Sequence, residues 1–315
     1  MSQFPLVGLA LTANHATASA RWPDGSFESL GRVEGTYEYI EMMQHLSLSS
    51  SEHISPPYDI MESLWDEVLR RVWRGIRTTF GLAASADLAV LAGMLKAAAQ
   101  MAESKVGYPI SVILSFPTLP VLRQENVASA IEYAGLRTPT CCGKQLHELV
   151  AAYAGYEMGL SENKPELGNR GKKMHELPRR HVVLVEYTEV AILLYCAVLE
   201  KGNNTPDVAR GIRTSFELGS NNGASTEEVH DFVLEYLRDV SSSNTRWGFP
   251  EKISIMMTGS LESVGRAGIR QAIVGAVEAF GSRANVLYSD PEYVAARGAA
   301  EMAWRATPQM ESTEV

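Results

Sequence analysis

The chain has 315 residues, with 28 Lys and Arg against 37 Asp and Glu for a net charge of −9. That balance has the wrong sign for a phosphate-backbone binder and argues against a nucleic-acid partner. Hydrophobic residues at 45% and charged residues at 21% are ordinary globular composition, which excludes collagen-like and wholly disordered classes and makes two domains the natural expectation at this length.

The apolar runs at 182–185 and 190–199 are separated by Glu186 and Glu189 and are far short of a bilayer span, so no membrane helix is expected. Residues 1–12 lack the basic segment of a secretory signal, and three Cys give no disulfide framework. Both features point to the cytoplasm.

In chain order, residues 4–12 read as a buried strand, and 16–22 with 27–33 read as a hairpin around Pro23-Asp24-Gly25. From Ile60 to Phe80, apolar residues recur at three and four positions after Pro56-Pro57, the pattern of a long amphipathic helix. Arg70, Arg71, Arg74 and Arg77 form its solvated face, and Trp65 and Trp73 belong to its core side. A second helix runs from Leu88 to Gly107, a buried strand over 109–116, a helix over 124–133 closing at Gly135, and another from 146 to 158.

The polar, Gly- and Pro-containing stretch 161–181 reads as a linker, which divides the chain into a first lobe at 1–160, a second lobe at 182–306 and a tail at 307–315. The second half repeats the grammar of the first. A hairpin spans 182–186 and 190–199, Ser225-Thr226-Glu227-Glu228 forms a capping box before a helix, and 252–257 is a strand. A helix over 264–280, a strand at 286–288 and a closing helix opened by Asp290-Pro291 complete it. Two hairpin sheets, each followed by helix and strand alternation, predict an α/β fold with two related lobes.

Five ordered segments carry a resemblance: Leu95 to Glu103, Val112-Ile113-Leu114-Ser115-Phe116-Pro117, Arg123-Gln124, Ala134-Gly135-Leu136 and His147-Glu148-Leu149-Val150-Ala151-Ala152-Tyr153. They resemble the actin, hexokinase and heat-shock chaperone superfamily, most closely the ATPase domain of DnaK-type chaperones. Ile253 to Ser260 and Ala295-Ala296-Arg297-Gly298-Ala299-Ala300 are similar to that family's adenosine-binding strand and closing helix. The resemblance implies a two-lobed actin-like ATPase (ribonuclease H-like) fold with reduced insertions, in which a hairpin from each lobe clamps a magnesium nucleotide.

Such a clamp needs Gly where backbone N–H groups approach phosphate and carboxylates to hold a hydrated metal. In the first hairpin the family's D-L-G-T-T aligns with Ala10-Leu11-Thr12-Ala13-Asn14, and in the second D-L-G-G-G-T shrinks to Glu186-Tyr187-Thr188. No Lys precedes Lys96, where the family places one near the attacking water. These departures argue against ATP hydrolysis and against tight binding of ATP and magnesium, so no cofactor is expected.

The candidate catalytic residues are His15, His147, Glu148, Glu186 and Tyr187, with Glu189 beside them; Thr258, Gly259 and Ser260 are the candidate nucleotide-binding remnant. Two readings stand for each. One takes a histidine as base with Glu148 or Glu186 as its partner; the other makes Glu148 a helix-terminus carboxylate and the hairpin residues ordinary turn positions. Cys141-Cys142 with His147 does not complete four ligands, so no metal site is expected, and Gly143-Lys144 and Gly171-Lys172 lack the rest of a P-loop.

The expected function is a degenerate chaperone-ATPase-like module that binds a small molecule or a protein partner. The alternatives are an enzyme doing metal-free acid/base chemistry on a small organic substrate between the lobes, and a nucleotide binder without turnover.

Overall fold

Strand β1 (Leu6–Leu11) pairs antiparallel with β2 (His15–Arg21), which pairs antiparallel with β3 (Phe27–Glu34), in a computed structural model that describes residues 4–48, 83, 85–139, 145–158, 180–199, 211–243 and 250–306. Helix α1 (Tyr37–Ser47) follows, its N-cap Thr36 accepting from the Tyr39 N–H. Helix α2 (Ala86–Val106) is capped by Ser85 and stops at Gly107. Strands β4 (Val112–Phe116) and β5 (Leu146–His147) then add in parallel beside β1, with α3 (Gln124–Tyr133) between them and α4 (Glu148–Gly155) after them.

The second half builds the same object. Strands β6 (Arg180–Tyr187), β7 (Ile192–Leu199) and β8 (Ile212–Ser215) form an antiparallel meander, and β9 (Lys252–Gly259) and β10 (Arg283–Leu287) add in parallel on the other side of β6. Helix α5 (Thr226–Ser243) precedes β9, α6 (Leu261–Gly265) and α7 (Ile269–Ala279) follow it, and α8 (Val294–Ala306) follows β10. The orders are β3-β2-β1-β4-β5 and β10-β9-β6-β7-β8. Counted from each half's own first strand, both sheets run third, second, first, fourth, fifth.

Each sheet is apolar on both faces, which is why β1 and β6 read as nearly continuous apolar runs. The outer face of the first sheet, through Val7, Leu9, Leu11 and Leu114, packs on α1, α2 and α3. The outer face of the second, through Val183, Val185, Ile255 and Met257, packs on α5 and α7.

The inner faces are covered crosswise. Helix α8, last in the second half, lies on the first sheet through Ala295, Ala296, Ala299 and Ala303. Helix α4, last in the first half, lies on the second sheet, with Leu149, Ala152 and Tyr153 against Val182, Leu184 and Met256. The two helices cross between the sheets with backbones nearly touching: a Cβ at Gly298 would stand 1.7 Å from Ala151 O, and one at Gly155 would stand 2.0 Å from Val294 O.

Several expectations change in detail. The helix expected at 264–280 is two helices, α6 and α7, because the chain turns at Arg266–Gly268 before α7 begins. Asp290 does not open the last helix; residues 290–293 form a turn, with Tyr293 N donating to Asp290 O, and α8 starts at Val294. Arg180 and His181 of the expected linker already belong to β6. The rest of that linker, the helix expected over 60–80 with its Arg and Trp residues, the Cys141-Cys142-Gly143-Lys144 segment and the tail at 307–315 lie outside the described residues. The capping box holds: Ser225 N donates to Glu228 Oε2 at 2.8 Å and Glu228 N to Ser225 Oγ at 3.1 Å. Among the described residues no helix is long and apolar enough to cross a membrane.

Candidate functional site

Open α/β sheets present ligand sites beyond the carboxyl ends of their parallel strands. Here those ends from both sheets converge, and the residues on them are Thr12 to His15 after β1, Glu148 after β5, Thr188 to Ala191 after β6, and Ser260 after β9.

The two hairpin turns are built alike. Thr12 N and Thr12 Oγ1 both donate to His15 O, at 2.9 and 3.0 Å, and His15 N donates back to Thr12 Oγ1 at 3.1 Å. Thr188 repeats this with Ala191: its N and Oγ1 donate to Ala191 O at 3.0 and 3.2 Å, and Ala191 N donates to Thr188 Oγ1 at 3.2 Å. A threonine hydroxyl thus ties each two-residue tip and satisfies backbone groups that an open loop would offer to a ligand.

The tips also hold each other. Ala13 N donates to Glu186 Oε1 at 2.6 Å, and Asn14 Nδ2 donates to Glu189 Oε2 at 2.7 Å. From β3, Arg32 makes ion pairs with Glu189 at 3.3 Å and with Glu292, just before α8, at 2.6 Å. Thr17 Oγ1 donates to Glu292 O at 3.1 Å. Tyr39 of α1 steadies the first turn from behind, its hydroxyl donating to Thr12 O at 2.8 Å.

Of the residues singled out in the sequence, Glu148 and Glu186 are brought into contact. Their side chains lie against each other, at 1% and 0% exposure, with Thr258 beside Glu148. Glu148 Oε1 and Glu186 Oε2 have no hydrogen-bond partner among the described residues, and two carboxyls can bond each other only when one of them carries a proton. Burial first, and then the neighbouring carboxyl, push Glu186 well above the usual carboxylate range; burial also raises Glu148, against the opposing hydrogen bonds from Glu186 and Thr258.

Neither histidine is joined to this pair. His15 is fully buried, its Nδ1 lies 2.8 Å from Asn14 Oδ1 and its Nε2 has no partner. Burial, with Arg32 adding to it, pulls its pKa down to about 3. His147 stacks on Phe116 with ring centroids 4.7 Å apart, its Nδ1 is unpartnered, and burial pulls it down to about 4. Both rings are neutral near pH 7 and are poor bases.

Tyr187 points to the opposite side of the sheet from Glu186, into the core beneath α5 and α7, with the Arg266 guanidinium beside its hydroxyl. Burial would raise Glu189, but its own N–H, Asn14, Ser260 and Arg32 outweigh that and hold it below the usual range. Gly259 pairs with Tyr187 across β9 and β6, where a Cβ would lie 2.2 Å from Tyr187 O, so packing alone requires glycine there. Ser260 caps α6, accepting from Ser263 N at 3.3 Å and donating to Ser263 Oγ at 2.6 Å.

Sequence reasoning missed Thr12, Thr188, Asn14 and Arg32. A threonine at the same place in both hairpins was a readable signal; Arg32 carried none, since Glu189 and Glu292 lie far from it along the chain. Compared with known proteins, the chain matches no protein-family model and no curated protein.

Proposed function

We propose that this chain is a degenerate, two-lobed member of the actin, hexokinase and heat-shock chaperone ATPase superfamily that has lost nucleotide hydrolysis and serves as a ligand- or protein-binding module. The observation that carries the reading is the hydrogen bond from Ala13 N to Glu186 Oε1. On the resemblance, these two hairpins are the ones that clamp a triphosphate. Here a carboxylate takes the N–H of the first tip, and threonine hydroxyls engage the N–H groups of Thr12's and Thr188's partners, His15 and Ala191. A triphosphate entering this place would meet Glu186 and Glu189 in place of donors and a metal, which costs rather than gains electrostatic energy.

The repeated strand order and the crossing of α4 and α8, at the two helical segments that carry the resemblance, support the fold part of the reading. Isothermal titration with Mg-ATP and a phosphate-release assay test it. No binding heat at micromolar to millimolar ATP and no release above the buffer blank are expected; micromolar binding with turnover overturns it.

The second reading, metal-free acid/base chemistry on a small organic substrate, is favoured by the contact of Glu148 with Glu186, since burial and the neighbouring carboxyl hold Glu186 well above the usual carboxylate range and a carboxyl so raised can act as a general acid. Native mass spectrometry of the purified chain separates the two: a bound small molecule that the chain converts on incubation, with conversion lost in Glu186→Gln, supports the enzyme reading, and a molecule bound without conversion, or none, leaves the binding module in front.

A further inference from the structure

Two acids from opposite halves of the fold meet without a cation. Glu148 opens α4 at the end of the first half, and Glu186 ends β6 in the second, with its other oxygen on the first hairpin's Ala13 N–H. The groups facing the pair from the surrounding elements are Thr258 of β9, Tyr39 of α1 and, near the end of α4, Tyr156, whose hydroxyl donates to Met257 O at 2.6 Å. All are neutral at ordinary pH. Of the charged groups at the hairpin tips, Arg32 is committed to Glu34, Glu189 and Glu292, Glu189 faces Asn14 and Arg32, and His15 is neutral. None of them acts on either acid.

We propose that Glu148 and Glu186 form a proton-gated latch: one proton held between them keeps the two hairpins clasped through Ala13, and its release to solvent base drives the halves apart. The physical reason is the cost of the doubly ionised state. Two carboxylates in contact in a water-poor place repel, and the Ala13 N–H on Glu186 and the Thr258 hydroxyl beside Glu148 offset only part of the cost that burial imposes. The relief available is hydration, which requires the Ala13 and Asn14 contacts to part. The inference stands on the clasp itself and holds whether or not the fold descends from an ATPase.

Hydrogen exchange followed by mass spectrometry on the full chain tests it, with rates corrected for the intrinsic pH dependence. Buried glutamates titrate as high as about 8 to 9, so the comparison is made at about pH 6 and about pH 9. In the wild-type chain, protection of the peptides covering 11–16 and 186–192 should fall about tenfold or more at the higher pH, the equivalent of one pKa unit, while 253–257 keeps its protection. In Glu148→Gln the amide can donate to Glu186 and mimics the shared proton at every pH, so the fall should shrink to about twofold or less. Equal wild-type protection at both pH values, or a Glu148→Gln chain that keeps the full dependence, overturns the latch. Should Glu148→Gln not fold, Glu148→Gln/Glu186→Gln, which has no acid left at the pair, takes its place with the same expected and overturning outcomes.

Discussion

Glu148 and Glu186 hold their protons to higher pH in the folded chain than in the unfolded one, which gives them up above the ordinary carboxylate value of 4.5. The folded state therefore holds more protons, and this contribution to stability, complete below 4.5, is lost as pH rises toward the raised folded values. His15 and His147 work in the opposite sense. Their stability is complete above the ordinary value of 6.5 and is lost as pH falls toward about 3 and about 4, because the unfolded chain takes protons that the buried rings refuse. Urea midpoints measured across pH should pass through a maximum, and Glu148→Gln/Glu186→Gln should flatten the alkaline limb while leaving the acid limb in place. Both acids could be picked out in the sequence, Glu148 by its place in a family-like segment and Glu186 by its place at a hairpin tip. Their contact with each other could not, because it joins residues from different halves, and Ala13 offers only a backbone N–H, which every residue but proline possesses.

Among the elements, the paired turns and the crossed helices make the sharpest claims. Thr12→Val and Thr188→Val each remove one hydroxyl that both donates and accepts inside a buried turn. Each should cost about 1 to 3 kcal/mol, and the two losses should be similar, since the bonds removed correspond one to one. Denaturant unfolding checks this; a loss at one turn and none at the other would contradict their equivalence. In an exposed helix, replacing Gly by Ala gains about 1 kcal/mol. Gly298→Ala should do the reverse and lose about 1 to 3 kcal/mol, because the added methyl would fall on the Ala151 carbonyl.

Most of the elements themselves were legible. Strands buried on two faces announce themselves as apolar runs, and Ser225 with Glu228 marks a helix start by chemistry alone. The short helix α1 was missed although Tyr39, Met42, Met43 and Leu46 follow the i, i+3, i+4, i+7 spacing of a helix face and Thr36 stands at its N-cap. Strand β8 is a polar edge of four residues, and β5 is only two residues long, too short for either to show a period.

For the whole molecule, the duplication was visible as a repeated order of hairpin, helix and strand, and the structure turns that order into two sheets of one topology. What the order concealed is the exchange between them. Sequence position assigns α4 to the first lobe and α8 to the second, yet each covers the inner face of the other half's sheet. Alternating small and large residues on those helices show that a face is buried; they do not say which sheet buries it.

That exchange sets how the polypeptide can be divided. A fragment ending at Met158 retains α4 without the Val182, Leu184 and Met256 surface that covers its Leu149, Ala152 and Tyr153, and lacks the helix that shields Ala10 and Ile113; one starting at Arg180 has the mirror defect. Expressed singly, both should aggregate, and produced together in one cell they should recover as a soluble one-to-one pair. Each half is therefore a partner for the other within one chain, and neither is a free-standing unit.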